Sequence, residues 1–474
     1  MKKIAIIGAG WVGVGVLRIL KEKGYKVDVF EKRNDIGGVW HPDNAYAGLS
    51  IHQASKGIEF FDFPLPSQID KTERIPSLEV YHYLQKYCQA KNLYPHMQFN
   101  LTVMRVNYDS QHKKSTIYYK NSENAEFSID GYDYVIYTNG FSNHTVPHFP
   151  DANNFSGKII HSFDANEKLM QSLIAENKKI TVLGGSKTAT DMIIYFYRCG
   201  YKVTWLYRTP YWFLRFDPFT QVIKDKIKGK KYRHPFYIAA VILGYLLQQI
   251  STQIAFLVWR ACGVIHTFGN KQSNYSKFHF GYLDESQVDV LKKYSETHGI
   301  SGEIKNFNKN TILLNDGRLI ESDVVICCTG SGNDATTLID ISVDHEKVLI
   351  DKIMEVYRAR VIPQVPNLIF TAYHFFTLGI ANGLSYGNWI HEYIESNFTE
   401  KDLLQNADHY ERPFFTHQLL FESDGSIFMK SIKIMDKFFK SGELSRKIFF
   451  KWYFFEYLFG VNGPKPLNFK KPRK

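Results

Sequence analysis

The strongest constraint on this chain is a unit it uses twice: an apolar run that breaks into glycines, a helical pattern, then a second apolar run ending in one charged residue. In the first copy residues 2–7 read as a buried strand and Gly8, Gly10 and Gly13 follow directly. Val14, Val16, Leu17 and Leu20 then suit a helix closing at Gly24, and residues 27–30 form a strand that ends at Glu31. Each glycine has its own physical role. Gly8 permits a tight turn, Gly10 lets a pyrophosphate approach the backbone, and Gly13 lets helix and strand pack closely. The helix N-terminus faces the anion, and Glu31, about twenty residues on, can accept hydrogen bonds from a ribose hydroxyl. The second copy runs from a strand at 179–183 through Gly184, Gly185, Ser186, Lys187 and Thr188 into a helix ending near Gly200. A strand at 202–207 follows, and Arg208 stands where Glu31 ends its counterpart. An acid there selects a free 2′-hydroxyl, whereas an arginine accommodates a 2′-phosphate, so the second site is expected to take NADPH in preference to NADH. Ser186 replaces a glycine of the usual motif, and Ser186, Lys187 and Thr188, on the loop that opens the helix, are expected to contact phosphate and ribose.

A chain of 474 residues with 44% hydrophobic content has room for more than one domain and reads as ordered and globular. Its five cysteines include no C-x-x-C pair, and no H-E-x-x-H run occurs, so neither a disulfide framework nor a metal site is expected. Cys327 and Cys328 lie in the apolar run 324–328 and read as thiols on opposite faces of a buried strand. The first residues pass at once into a strand and glycines, so secretion is not expected and the cytoplasm is the expected compartment. A formal charge of +11, concentrated partly in the tail 465–474, comes without any nucleic-acid-binding pattern. The tail is therefore either a solvated basic end or an attraction to a membrane surface.

The residues after Glu31 refine the first site. Gly37, Gly38 and Trp40 complete an E-x-x-x-x-x-G-G-x-W run that resembles the flavoprotein continuation of the fingerprint, in which the glycine pair lies along FAD. Phe155, Gly157, His161 and Ser162 form the sequence F-S-G-K-I-I-H-S, which resembles the F-x-G-x-x-x-H-S signature of the flavin-containing monooxygenases. These are class B flavoprotein monooxygenases related to the Baeyer–Villiger and N-hydroxylating enzymes. Residues 133–140 and 323–330 resemble the strands whose T-N-G and T-G turns cross between domains, 53–66 the segment near the flavin ring, and 366–373 the strand that completes the FAD domain. The resemblance spans about residues 4–394.

It implies an α/β fold of two Rossmann-like dinucleotide-binding domains, with a helical apolar insertion and a helical C-terminal region. The FAD-binding domain is expected at 1–150 and 325–400, and the NADPH-binding domain at 151–324 with its insertion at about 210–285. An aromatic, basic extension is expected at 401–474. FAD is expected on Gly8, Gly10, Gly13, Glu31, Gly38 and Trp40, with Val103 on the strand that meets the adenine; NADPH is expected on Gly184, Ser186, Lys187, Thr188 and Arg208. The implied chemistry is hydride transfer from NADPH to the flavin and capture of O2 as a C4a-hydroperoxide. Oxygen then passes to a soft nucleophilic nitrogen or sulfur of a small organic substrate. Gln53 and Asn139 are the expected side chains near the flavin and nicotinamide, while Phe155, Gly157 and His161 are expected to support NADP binding and domain geometry. Two departures stand out: Ala165 occupies the position, four after the motif histidine, where the family usually has an aromatic, and Gln53 stands in place of an asparagine. Baeyer–Villiger oxygenation of a ketone or aldehyde is the nearest alternative, followed by a quinone reductase at a membrane surface.

Residues 236–259 carry no charge, but Gln248, Gln249, Ser251, Thr252 and Gln253 cluster near the middle, where a membrane span tolerates polarity least. Two shorter apolar helices, over the substrate site or in a membrane interface, fit this pattern better than a span. The stretch 426–460 interleaves Phe, Tyr and Trp with Lys and Arg and suits an interfacial helix or a docking element, giving peripheral membrane association a second basis.

Overall fold

The computed structural model describes residues 1–51, 60, 63–67, 69, 74–138, 140, 146–214, 243, 252–263, 265–268, 278–283, 285–330, 339–348, 354–357, 361–371, 381–405 and 407–410. Gln53, Asn139, most of the uncharged run 236–259 and all of 426–460 lie outside the described residues.

The run Lys3–Ile7 is the middle strand of a five-stranded parallel sheet. Lys26–Phe30 and Tyr134–Tyr137 flank it, with Met97–Gln98 and Leu368–Phe370 at the edges. From Ile4 on its sequence is apolar because both faces are covered: Ile4 and Ile6 enter one core, Ala5 and Ile7 another. The helix Trp11–Glu22 covers the first face, burying Val14, Val16, Leu17 and Leu20. At about 1.5–3 kcal/mol for each large aliphatic side chain, this stripe holds the helix to the sheet. The helix Ala381–Ser396 packs across it through small residues: a Cβ on Gly383 would lie 2.9 Å from the Trp11 and Val12 carbonyl oxygens. The second face is covered by an antiparallel sheet of Thr102–Asp109, Lys114–Lys120 and Glu126–Tyr132, extended by Asp340–Val343 and Glu346–Lys347.

The second parallel sheet also has five strands, in the order Gly299–Ser301, Thr204–Tyr207, Ile180–Leu183, Val324–Cys327 and Lys158–His161. Again the strand that runs into glycines is central. Helices Lys187–Arg198 and Glu285–His298 lie on one face, and the antiparallel strands Ile304–Phe307, Thr311–Leu314 and Leu319–Glu321 on the other. Cys327 and Cys328 are buried in different cores, as thiols on opposite faces of the strand's end should be, and burial pushes Cys327 up to about 12. The strand expected at 202–207 is shorter: the backbone N–H and C=O of Val203 bond to the Tyr294 hydroxyl at 2.7 and 3.0 Å instead of extending the ladder.

The insertion after Arg208 contributes a small three-stranded sheet (Trp212–Leu214, Ile265–His266, Phe278–Tyr282) and a helix, Thr252–Ala261. Among the described residues no helix is long and apolar enough to cross a membrane.

Candidate functional site

In each parallel sheet the glycine strand lies between the strand that follows it in the same unit and one that arrives from later in the chain. That is the point where strand order reverses, and open α/β sheets bind ligands outside the strand ends there. Gly8 and Gly184 make the turns at φ +104° and +138°, and each lies close to the chain leaving the adjacent strand. A Cβ on Gly8 would lie 3.0 Å from the Thr138 carbonyl oxygen, and one on Gly184 would lie 2.5 Å from that of Cys328. Gly13 is fixed by contact as well: its Cβ would fall 2.0 Å from the Gly8 carbonyl oxygen.

Gly10 caps the helix Trp11–Glu22 with no side-chain hydrogen bond and no acid in the first turn, which leaves its opening N–H groups to a ligand. Glu31 is buried and already oriented: one carboxylate oxygen accepts from Ala9 N–H at 2.7 Å and the other from Arg33 N–H at 3.0 Å. The segment that follows folds back over the turn, with Gly37 N–H donating to the Ala9 carbonyl at 3.0 Å. Trp40 comes to rest 5.5 Å from Trp11, ring centre to ring centre. Among the described residues, Trp40 Nε1 and Arg33 Nε are buried with no hydrogen-bond partner. A buried donor left unpaired costs about 1–3 kcal/mol, so two of them beside a glycine turn fit an acceptor-rich ligand such as a dinucleotide.

Asp35 braces this loop, a role that sequence reasoning missed. Its carboxylate accepts hydrogen bonds from Tyr81 and Gln85 at 2.7 Å, from Ile36 N–H at 2.8 Å and from Tyr94 at 3.1 Å. The signal lay only in tertiary structure, since Tyr81 and Gln85 sit one turn apart on the helix Ser77–Ala90. Val103 is buried in the antiparallel sheet, just beyond residues 98–101, whose backbone bonds to Glu31 and Arg33.

At the second turn Ser186 caps the helix Lys187–Arg198, again without a side-chain hydrogen bond. Ser186 and Thr188 are half-buried. Arg208 is 71% exposed and only 3.8 Å from Glu303, an exposed pair worth about 0–1 kcal/mol that a phosphate can displace. Lys187 differs from expectation. Its side chain is 5% exposed and its ammonium is paired with Asp191, which is 3% exposed and one helical turn on. The ammonium is thus engaged inside the fold, where a desolvated carboxylate needs a counter-charge.

His161 is fully buried at the end of its strand, accepts from Phe163 N–H through Nδ1, and lies 2.8 Å through Nε2 from the Gly330 carbonyl. The first contact assigns the proton to Nε2, so the ring ties the Gly330 turn to its own strand. Phe155 packs on Phe307 at 5.2 Å, and a Cβ on Gly157 would strike both Phe155 and the Asp323 carbonyl oxygen. Ala165 is fully buried, and its carbonyl accepts from Ala47 N–H at 2.9 Å. That backbone bond joins two chain segments at the position.

Comparison with known proteins gives one family over the N-terminal half. Residues 1–228 match the flavin-binding monooxygenase-like family. Trimethylamine monooxygenase of Pelagibacter ubique is 31% identical over 257 residues, which is 49% of this chain and 57% of that protein. That match therefore spans little more than half the relative's length. A probable flavin-containing monooxygenase of Arabidopsis thaliana is 22% identical over 84% of this chain and 83% of its own. Among solved structures, cyclohexanone monooxygenase from Rhodococcus sp. Phi1 bound to NADP+ superposes with TM-score 0.61 at 16% identity, covering 83% of this chain and 84% of that one. Tmm from Pelagibacter sp. strain HTCC7211 superposes with TM-score 0.53 at 18% identity, covering 85% of this chain and 79% of that one. Both likenesses are of fold.

Proposed function

We propose, from the match of residues 1–228 to the flavin-binding monooxygenase-like family, that this chain is an NADPH- and O2-dependent monooxygenase of a small organic amine or thioether. The observation that carries the reading is the contrast between two otherwise matching turns, one ending in the buried acid Glu31 and the other in the exposed base Arg208. In this reading residues 1–150 with 325–400 hold FAD, and residues 151–324 hold NADPH.

When bound, the flavin supplies two-electron reduction by NADPH and transfer of one oxygen atom from O2 to the substrate. The chain's own part is to bind, orient and keep water out. Gly10 and Gly38 give the pyrophosphate access to backbone N–H groups, while Gly8 makes the turn and Gly13 lets the helix pack against it. Glu31 accepts from the ribose, Trp40 and Arg33 offer the unpaired donors, and Val103 lies toward the adenine side. On the second turn Gly184, Ser186 and Thr188 receive the nicotinamide dinucleotide, and Arg208 pairs with its 2′-phosphate. His161, Phe155 and Gly157 hold the turn that borders this site. Gln53 and Asn139 remain the side chains assigned to the flavin–nicotinamide region.

The substrate class follows the amine-oxygenating relative, and a soft nucleophile needs no side-chain base to take up oxygen. The test is incubation with NADPH, isotopically heavy O2 and either a small tertiary amine or a thioether. One labelled oxygen in the N-oxide or sulfoxide is the expected result. NADPH consumption that yields hydrogen peroxide alone overturns the oxygenase reading, and a labelled lactone from a cyclic ketone moves the chain to the Baeyer–Villiger alternative.

A further inference from the structure

The buried ion pair at the second turn is not isolated. Tyr46, which is 6% exposed, donates its hydroxyl to Asp191 Oδ2 at 3.0 Å, across a sequence separation of 145 residues. Thr188 is a second hydrogen-bond partner of that hydroxyl, and burial followed by the Asp191 carboxylate pushes the phenol well up, so it stays a donor. The backbone on either side is drawn into the same seam. Tyr46 bridges to Asn166, Ala47 N–H donates to Ala165, and a Cβ on Gly48 would lie 3.0 Å from the Asp191 carbonyl oxygen.

Just before Tyr46, Asn44 reaches the other way. Its amide donates to the Gly38 carbonyl at 2.9 Å and its oxygen accepts from the Arg33 guanidinium. Residues 44–46 therefore touch both dinucleotide turns: the Gly38 loop of the first through Asn44, and the opening turn of helix Lys187–Arg198 through Tyr46. The polar contacts at the second end are buried, and such contacts fix one arrangement because any other leaves a charge or hydroxyl unpaired.

We propose that Tyr46 and Asp191 are positioning residues that lock the helix of the second turn against the loop of the first, with Lys187 as the counter-charge that lets Asp191 stay buried. This rests on the reading that the first turn holds FAD and the second NADPH. A lock of this kind acts on the relative placement of the two sites and not on the affinity of either, and small misplacements between reacting groups are costly in rate.

The experiment compares the full-length wild type with Y46F, which removes one oxygen atom. The first readout, hydrogen–deuterium exchange at residues 45–49 and 163–167, needs no turnover. The second is the rate at which NADPH bleaches the flavin without oxygen, alongside NADP+ affinity and flavin content. In Y46F, exchange in both segments is expected to rise about ten-fold and bleaching to slow about ten-fold or more, with NADP+ affinity and flavin content unchanged. G48A, which crowds the same seam without touching a charge, is expected to act in the same direction. Unchanged exchange in both variants overturns the lock, as does bleaching at the wild-type rate. A wild type that NADPH does not bleach overturns the underlying functional reading, whereas a bleached wild type with an indistinguishable Y46F overturns the lock alone.

Discussion

At the residue scale, the proposed function rests mostly on the two charged ends of the paired strands, Glu31 and Arg208. Arg208 is exposed and loosely held, so its removal should leave the fold intact. Loss of a charge-assisted hydrogen bond of about 1.5–3 kcal/mol corresponds to a rise of about 10–100-fold in the KM for NADPH. Arg208→Gln is expected to show that rise with little change for NADH, and equal effects on both cofactors would remove Arg208 from the 2′-phosphate. Asp35 makes a pH prediction. Burial alone would raise its carboxyl, but the hydrogen bonds from Tyr81, Ile36 N–H, Gln85 and Tyr94 outweigh burial and hold it below the usual range. The unfolded chain then takes up the proton first as pH falls, so this contribution is full above about pH 4 and is lost as pH drops through the folded-state value. Urea unfolding of wild type and Asp35→Asn should show a stability gap at about pH 6 that narrows at about pH 3.5, whereas a constant gap would contradict the brace. Glu31 and Arg208 were legible as positions, because each follows directly on a strand end that the chain order marks. Asp35 and Tyr46 were not, because their partners lie in distant segments, and Lys187 was legible as a position but not as a direction. The one local signal is the i,i+4 spacing to Asp191, which places the two charges on the same face of the helix.

At the element scale, the strand–turn–helix units could be read from sequence because a parallel strand covered on both faces is continuously apolar and its turn needs glycine. The antiparallel sheet over the second face of the first unit was read only as a strand near Val103. Its exposed face breaks the apolar pattern, as in the strand Glu126–Tyr132, where most residues are solvent-facing. The packing of helix Ala381–Ser396 on helix Trp11–Glu22 was also hidden, since it depends on Gly15 and Gly383 meeting from opposite ends of the sequence. A Cβ at Gly383 would lie 3.0 Å from the Gly15 Cα and 2.9 Å from two carbonyl oxygens. Gly383→Ala is therefore expected to cost about 1–3 kcal/mol, read as a fall in the thermal midpoint. An unchanged midpoint would mean that the helices part without penalty.

At the scale of the whole molecule, the two sheets share the order of their central three strands but not of their edges: Leu368–Phe370 closes the first sheet from late in the chain, whereas Lys158–His161 closes the second from before its glycine strand. The proposed lock lies in the seam at residues 44–49 and 162–166. The central strands were foreseeable from the repeated motif, but the seam was not, since its pairs join segments more than a hundred residues apart. The central claim is that both units serve one oxygenation reaction. The measurement that tests it most directly is a stopped-flow spectrum of the purified protein, its flavin first reduced by NADPH without oxygen and then mixed with oxygenated buffer. A lasting absorbing species distinct from both oxidised and reduced flavin is expected before the oxidised spectrum returns. Direct return to the oxidised spectrum, with no such species, would contradict it.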